Sequence, residues 1–176
     1  MSAVKVHIGA LLAALGEDTN REGLLETPTR VAKFYETFLR PKPVKLTTFV
    51  NEGTDELIIQ TGIPLYSLCE HHMLPFFGTA CVGYLPSDRI VGLSKLARLV
   101  QFYASGLNNQ ERITKNIANA LEAIKPKAIG VTIRARHLCM EMRGIRVPGA
   151  ETITSCMRGA LRDDAKARAE FLSLTR

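Results

Sequence analysis

The 176-residue sequence lacks any apolar run close to the roughly 20 residues that a membrane-spanning helix needs. Its N-terminus also lacks the order of charged, apolar and small residues that marks a secretory signal. Internal repeats and low-complexity segments are missing as well. We therefore expect a cytoplasmic protein without a membrane partner.

Cysteine is scarce and irregularly spaced, occurring only at Cys69, Cys81, Cys139 and Cys156. A chain of this length can bury a sufficient core without disulfide bonds. Because cytoplasmic thiols are normally kept reduced, the four cysteines are expected to be free thiols or metal ligands.

Clustered positive charge is also missing, although the formal net charge is +6. Lysines and arginines are spread along the chain without basic runs or interleaved aromatic residues, which argues against a nucleic-acid partner. A small polyphosphate would complement the same charge, so we expect a substrate of that kind.

The densest chemistry in the chain lies at residues 68–77, where one thiol and two imidazoles fall close together. Cys69 and His72 have a spacing that lets both side chains bind one zinc ion from a single turn, and His71 stands free beside them. This stretch is predicted to be a loop between strands. A third ligand has to come from elsewhere.

Hydrophobic periodicity divides the chain into an N-terminal helical segment, residues 1–43, and a mixed domain, residues 44–176. Helices are predicted at 3–15, from 27 to the prolines at 41 and 43, and at 94–106, 110–124 and 164–173, and strands at 46–50, 56–61, 76–85, 128–142 and 152–155. Residues 17–26 are predicted to be a loop. Thr27 and Ser94 are the predicted N-caps of their helices.

Several charged residues occupy predicted helix positions where they could face a ligand. Lys95 and Arg98 lie in the first turns of their helix, where free amide hydrogens and the helix dipole favour anions, although solvated charges are an equal alternative. Arg30 and Lys33 share one helix face, and their spacing alone favours a solvated surface pair. Glu111 follows Gln110 at a helix start, where capping is the default interpretation.

The strand predicted at 128–142 supplies the missing ligand. Its alternation puts His137 and Cys139 on one face. With Cys69, His72 and Cys139 as ligands, zinc would keep one open position, as in catalytic sites. Bound water would then have its pKa lowered from about 16 to about 7. Since His71 and His137 could exchange protons nearby, this arrangement predicts a hydrolase.

A closed structural zinc site is the alternative interpretation of Cys69 and His72. It would take Cys81 or Cys156 as its fourth ligand, although each of these is by itself more typical of a small core residue. The same ligand types also suit Fe(II). Spacing alone does not specify the reaction.

Four motifs resemble, in order and in separation, those of GTP cyclohydrolase I. They are Ser67-Leu68-Cys69-Glu70-His71-His72, Gly92-Leu93-Ser94-Lys95-Leu96-Ala97-Arg98, Gln110-Glu111-Arg112-Ile113-Thr114 and His137-Leu138-Cys139-Met140-Glu141-Met142-Arg143-Gly144. The similarity extends to residues 27–33 and 170–172 and so covers nearly the whole chain. It implies an α+β protein with the tunnelling fold: an antiparallel four-stranded sheet with two packed helices, preceded by N-terminal helices. It also implies a homodecamer whose sites are built from neighbouring subunits.

The resemblance further implies a reaction and its residues. GTP would lose C8 of its imidazole ring as formate and rearrange to 7,8-dihydroneopterin triphosphate. Zinc would be bound by Cys69, His72 and Cys139, while His71 and His137 would handle protons at the purine and ribose.

The remaining roles implied by the resemblance concern the substrate. Glu111, together with Gln110, would read the guanine edge, because a carboxylate accepts hydrogen bonds from N1–H and the amino group. Ser94, grouped with the catalytic residues, would lie near the ribose and phosphates. The residues expected to bind the triphosphate are Lys95, Arg98, Arg143, Arg30 and Lys33.

Two places depart from the family pattern. Residues 105–109 read Ser-Gly-Leu-Asn-Asn where a basic pair and Gln-Val are usual, and Thr79 stands where lysine is common. Both changes concern the surroundings of the guanine-reading residues. The alternatives are therefore a tunnelling-fold relative acting on another purine nucleotide or a deazaguanine precursor, and a non-catalytic zinc module that senses GTP.

Overall fold

The computed structural model describes residues 3–175. The chain separates into two compact units, and the boundary along the chain lies between Pro41 and Lys42. The sequence places this boundary after residue 43. The first unit contains α1 (Ala3–Ala14), α2 (Glu22–Leu25) and α3 (Thr27–Phe38). The single turn of α2 falls in the predicted loop at 17–26, because four residues are too few for hydrophobic periodicity to reveal.

Thr27 is not the N-cap of α3, contrary to the sequence prediction. Glu26 occupies that position, and Thr27 is the first helical residue. The hydroxyl of Thr27 donates a hydrogen bond to the Gly23 carbonyl instead, at 3.3 Å. The short helix before α3 provides that acceptor, so the local motif alone could not assign the cap.

The second unit, described to residue 175, is built on a five-stranded sheet with the order β5-β2-β3-β6-β7 and a separate two-stranded sheet, β1-β4. The strands are β1 (Thr48–Val50), β2 (Ile58–Cys69), β3 (Pro75–Leu85), β4 (Arg89–Val91), β5 (Leu107–Asn108), β6 (Ala128–His137) and β7 (Glu151–Gly159). The helices are α4 (Leu93–Ala104), α5 (Gln110–Leu121) with a 3-10 turn at Glu122–Ile124, α6 (Leu138–Glu141), α7 (Ala160–Asp163) and α8 (Ala165–Leu174).

The four long strands β2, β3, β6 and β7 are antiparallel, and the short β5 adds a parallel pairing at the edge beside β2. Helices α4 and α5 pack on this sheet and against each other. The predicted antiparallel four-stranded sheet with two packed helices is therefore confirmed. Within residues 3–175, every helix is too short or too polar to cross a membrane.

Alternation along the strands explains the core. On β6, Val131, Ile133 and Ala135 are buried in the cluster formed with α4 and α5, as their spacing predicts. Gly130 lies at a position of the opposite face, and its register partner on β3 is Gly83. A Cβ on either glycine would lie within 2.9 Å of the Phe171 ring, so the two glycines make room for α8 on that face.

Three predicted boundaries around the site are wrong. The strand predicted at 56–61 continues as β2 to Cys69, because a register shift between Gln60 and Ile63 carries it through a bulge. The strand predicted at 128–142 ends at His137, where α6 begins. The N-cap of α4 is Gly92, so Ser94 lies inside the helix, exposed, and does not cap it.

Candidate metal centre and active site

The first two candidate ligands lie on the tight turn between β2 and β3. Cys69 ends β2, and its N–H donates to the Leu74 carbonyl at 2.8 Å, while its own carbonyl accepts from Met73 N–H at 2.8 Å. Met73 has a φ of 55°, which turns the chain back into β3. As a result, the Cys69 Sγ lies 3.7 Å from Nδ1 of His71 and 3.7 Å from Nδ1 of His72.

The third candidate ligand, Cys139, comes from α6. The ligand atoms of Cys69, His72 and Cys139 all lie within 4.8 Å of one another. Cys139 reaches this position from a helical turn, so the predicted shared strand face with His137 is wrong. Burial is the largest cause that raises the pKa of Cys139, and the neighbouring Cys69 thiol raises it further. Two thiols this close become good thiolate donors when a cation lies between them.

The closed four-ligand alternative is not formed. Among residues 3–175, Cys69, His72 and Cys139 are the group of cysteine, histidine and carboxylate side chains that could hold a metal ion. Cys81 and Cys156 lie inside β3 and β7, and all four cysteines are free thiols. The cluster therefore offers three protein donors and leaves further positions open.

His137 ends β6 beside this cluster and is held from two sides. Its ring stacks on Phe76, with the centroids 4.5 Å apart and the planes inclined by 5°. Its Nε2 lies 2.8 Å from Oε1 of Gln110. Burial lowers the pKa of His137 from its usual value, and the carboxylate of Glu111 partly opposes this. The imidazole is therefore favoured in its neutral form.

Gln110 sets which nitrogen of His137 carries the proton. Its side chain is buried, with 1% exposed, and its Nε2 lies 3.0 Å from the carbonyl oxygens of Ile133 and of Thr152. Carbonyls only accept hydrogen bonds, so these contacts fix the amide orientation and leave Oε1 as the acceptor facing His137. His137 consequently donates from Nε2 and keeps Nδ1 as its basic atom.

These contacts also correct the expected role of Gln110. Both of its amide hydrogens point at backbone carbonyls, so its side chain has none left for a guanine. It is not the N-cap of α5 either, because the Asn109 side chain accepts from Arg112 N–H at 2.9 Å.

A polar network that the motif analysis missed supports the metal-binding turn. Glu70 accepts a hydrogen bond from Asn109 at 2.9 Å and pairs with the Arg112 guanidinium. These two contacts hold the pKa of Glu70 below its usual value, and the contact with Arg112 has the larger effect. The network ties the turn to the start of α5, while His71 remains exposed, with its Nε2 3.9 Å from the Glu70 carboxylate. An acidic residue between two candidate ligands was its only sequence signal.

The unusual segment 105–109 has a structural role. Gly106 adopts a φ of 103°, and β5 then pairs in parallel with the end of β2 at Cys69. Asn108 is buried, and its Nδ2 lies 3.1–3.2 Å from the last carbonyls of α4. Its own carbonyl accepts from Glu70 N–H at 3.0 Å. This segment therefore closes α4 and supports the metal-binding turn.

A second polar contact missed from the sequence joins β6 to α6. The Arg136 guanidinium binds both carboxylate oxygens of Glu141, at 2.8 Å and 2.6 Å. Arg136 also lies over the Phe77 ring, 5.8 Å from its centroid. The pair holds the pKa of Glu141 below its usual value, with Arg136 as the largest cause.

The candidate substrate residues of the second unit lie on α4 and α5 and just after α6. Lys95 and Arg98 lie in the first turns of α4, and Arg143 is exposed just after α6. Glu111 is exposed in the first turn of α5 and lines a cavity of about 630 Å³ between α5 and β7. Exposed Thr79 lies on β3, opposite Arg134 of β6.

Arg30 and Lys33 belong to the N-terminal unit. Both are exposed on α3, and together with Phe34 they line a shallow cavity of about 380 Å³. Their i, i+3 spacing puts them on one helix face, as predicted. Of the predicted site residues, the structure brings together the three candidate ligands with His71, His137 and Gln110.

Comparison with known proteins shows relatives along nearly the whole chain. A family described as GTP cyclohydrolase I matches residues 4–176. A protein of Nitrosospira multiformis named GTP cyclohydrolase 1 is 52% identical over 93% of this chain and 90% of its own length. A protein of the same name from Corynebacterium glutamicum is 52% identical over 96% of this chain and 90% of its own length. Another from Coxiella burnetii is 50% identical over 97% of this chain and 96% of its own length.

A solved structure shares the fold. The crystal structure of the archaeosine synthase QueF-Like in the apo form superposes with a TM-score of 0.50, covering 62% of this chain and 97% of that chain. The two sequences are only 14% identical, so the likeness shows the tunnelling fold alone.

Proposed function

Because this chain belongs to the GTP cyclohydrolase I family and is a hydrolase of that family, we propose that it opens the imidazole ring of GTP in a zinc-dependent reaction. The products would be formate and, after rearrangement of the ribose, 7,8-dihydroneopterin triphosphate. The observation that carries the proposal is the cluster of Cys69, His72 and Cys139 beside the half-buried His137.

The donor set fits zinc. Two sulfur donors and one imidazole nitrogen are the ligand types that zinc prefers, and three protein donors are typical of its catalytic sites. The chemistry that zinc supplies when bound is a water of lowered pKa, about 7 instead of about 16, and hence a nucleophile at neutral pH. Fe(II) suits the same donors.

His137 is the proposed base of the site. Gln110 keeps the proton on Nε2, and the lowered pKa leaves Nδ1 free to accept a proton at neutral pH. The flat stacking on Phe76 restricts rotation of the imidazole ring. His71, exposed on the turn next to the ligands, is proposed to exchange protons with the leaving or ring-opened group.

The proposed substrate contacts follow from charge and hydrogen-bonding capacity. Glu111 would accept hydrogen bonds from N1–H and the amino group of guanine, in the cavity between α5 and β7. Lys95, Arg98 and Arg143 would bind the triphosphate, with Ser94 near the ribose. Arg30 and Lys33 are assigned to the triphosphate by family resemblance alone.

We propose a homodecamer in the cytoplasm as the working form. The strand order leaves β7 at an edge of the sheet, beside the cavity that Glu111 lines. An edge strand offers unpaired backbone groups to a second copy. Assembly through that edge would close the guanine cavity, so activity should depend on protein concentration.

The decisive experiment measures formate and, after oxidation, fluorescent pterin from GTP, with zinc content determined on the same sample. We expect one formate per GTP consumed and lower rates with other purine nucleotides. A zinc-loaded oligomer that releases no formate from GTP would refute the proposal. Reduction of a nitrile with nicotinamide consumption would identify a deazaguanine-type relative, and GTP recovered unchanged from a tight complex would identify a sensor.

A further inference from the structure

We propose that the ion pair between Arg136 and Glu141 is a positioning device that holds α6 against the end of β6, so that Cys139 is set in place as a ligand before the metal binds. This inference rests on the proposed function, because it presumes that zinc occupies the cluster. Neither residue needs to touch substrate or metal for this role.

The geometry of the pair is specific. The guanidinium uses Nε and one terminal nitrogen to bind the two carboxylate oxygens, at 2.8 Å and 2.6 Å. Such two-point contacts fix orientation as well as distance. The carboxylate is the buried partner, because only 9% of the Glu141 side chain is exposed. On its other side, Arg136 lies over Phe77, its cross-strand neighbour on β3.

Cys139 lies between the two members of this pair in sequence. Arg136 is anchored in the sheet through the ladders of β6 with β3 and β7. Glu141 ends α6, so the pair closes the corner at which the strand becomes a helix. Fixing both ends of a six-residue segment, 136–141, leaves the Cys139 thiol little freedom relative to Cys69 and His72.

α6 needs such support because it is a single turn. Its four residues are far below the length at which a helix is stable by itself, about 12–15 residues. Its N-cap residue, His137, makes no side-chain capping bond. The chain after it bends repeatedly, with positive φ values at Gly144 and Arg146. Two contacts return from it to the helix: Val147 N–H donates to the Met140 carbonyl, and Gly149 N–H donates to the Glu141 carboxylate.

A neighbouring ion pair supplies a matched control. Arg134 and Glu151 also join an arginine of β6 to a glutamate, with a single contact of 3.0 Å. Both side chains are about half exposed, and both strands are already held by their ladder. Such an exposed pair contributes little by itself.

The test compares zinc affinity in the purified full-length Glu141→Gln and Arg134→Gln variants by competition with a chromophoric chelator. Arg134→Gln breaks the control pair and keeps Glu151, which lies opposite Arg136 on β7. Removing groups that orient a ligand typically weakens metal binding about 10- to 100-fold, and we expect a loss of this size for Glu141→Gln. For Arg134→Gln we expect a change within about twofold. Circular dichroism and thermal unfolding in the presence of chelator check that the metal-free fold is unchanged.

A second variant covers the possibility that Glu141→Gln folds poorly. Arg136→Lys keeps the charge but loses the two-point contact, so it should also weaken zinc binding while the metal-free protein unfolds at the wild-type temperature. Visible absorption of cobalt(II) bound in place of zinc gives an independent readout, because its bands change with the geometry of the donors.

The outcomes separate the two proposals. If wild-type protein binds zinc tightly and both variants match it in affinity and cobalt spectrum, the positioning role is refuted and the proposed function stands. If wild-type protein binds no zinc at the cluster, both are refuted. Weaker zinc binding with an intact metal-free fold in either variant, and wild-type affinity in Arg134→Gln, supports the positioning role.

Discussion

Replacing Gln110 by methionine tests whether this residue positions His137 or contacts the substrate. Methionine has a similar length and volume but no hydrogen-bonding amide. The Gln110→Met change therefore keeps the packing beneath α5 while it removes the acceptor for His137 and the donors to the carbonyls of Ile133 and Thr152.

The size of the effect follows from burial. Only 1% of Gln110 is exposed, so water cannot replace the lost partners. Leaving a buried polar group without a partner costs about 1–3 kcal/mol. Because two carbonyls lose a donor, we expect the free energy of unfolding to fall by about 2–6 kcal/mol, a large part of the roughly 5–15 kcal/mol of an ordinary domain.

Activity should fall through kcat. Without Gln110, the proton of His137 is no longer held on Nε2, and the part of the rate that depends on its basic Nδ1 is reduced. Positioned acid–base groups contribute about 100- to 10,000-fold, so a partial loss of about 10-fold or more is expected. KM for GTP should stay nearly constant, because Gln110 has no free N–H for guanine.

The assay combines urea unfolding with steady-state kinetics of formate release. Thr154→Val is the control, since it removes a hydroxyl that lies 3.1 Å from Gln110 Nε2 but leaves the contact with His137. Because it also removes the contact with the Thr114 hydroxyl at 2.6 Å, it should cost about 1–2 kcal/mol and leave kcat nearly unchanged. A Gln110→Met protein with wild-type kcat and a raised KM would show direct substrate contact and refute the reasoning.

Three further changes have expected outcomes. Gly130→Ala should lower the free energy of unfolding by about 1–3 kcal/mol, because its Cβ would lie 2.7 Å from the Phe171 ring; an unchanged urea midpoint would contradict this. Burial raises the pKa of Tyr84, so its contribution should be fully present below pH about 10 and be lost as pH rises through the higher folded pKa. The Tyr84→Phe variant should lack that alkaline loss, but its free energy of unfolding at neutral pH should be lower by about 1 kcal/mol, because the hydrogen bond from Val91 N–H to the tyrosine hydroxyl is lost. Equal alkaline curves for the two proteins would refute the assignment. Cys139→Ala should reduce zinc content while circular dichroism stays unchanged, whereas unfolding would indicate a structural zinc site.

Local periodicity was enough to predict which faces of β6 and α5 are buried. Buried Val131 and Ile133 alternate along β6 as expected, and α5 presents Ile113 and Ile117 to the core. These patterns depend only on the spacing of apolar residues along one element. The likeness of the motifs to a family then indicated an antiparallel four-stranded sheet with two packed helices, which the structure and the likeness to a solved structure confirm.

Features that depend on a partner far away in sequence were not predictable in this way. The extension of β2 through its bulge needs β3 beside it, so the strand predicted at 56–61 was too short. α6 is too short for periodicity and depends on the contact between Arg136 and Glu141. The burial of Gln110 likewise becomes visible only when α5 lies on the sheet.

The sequence by itself determined which donors are available, since Cys69 and His72 meet within one turn. Tertiary structure decided how Cys139 joins them. β2 and β6 both run antiparallel to β3, so their C-terminal ends lie at the same end of the sheet, on either side of the start of β3. Because hydrogen-bonded strands lie about 4.8 Å apart, that topology brings the ends of β2 and β6 within about 10 Å of each other, and the turn into α6 closes the rest.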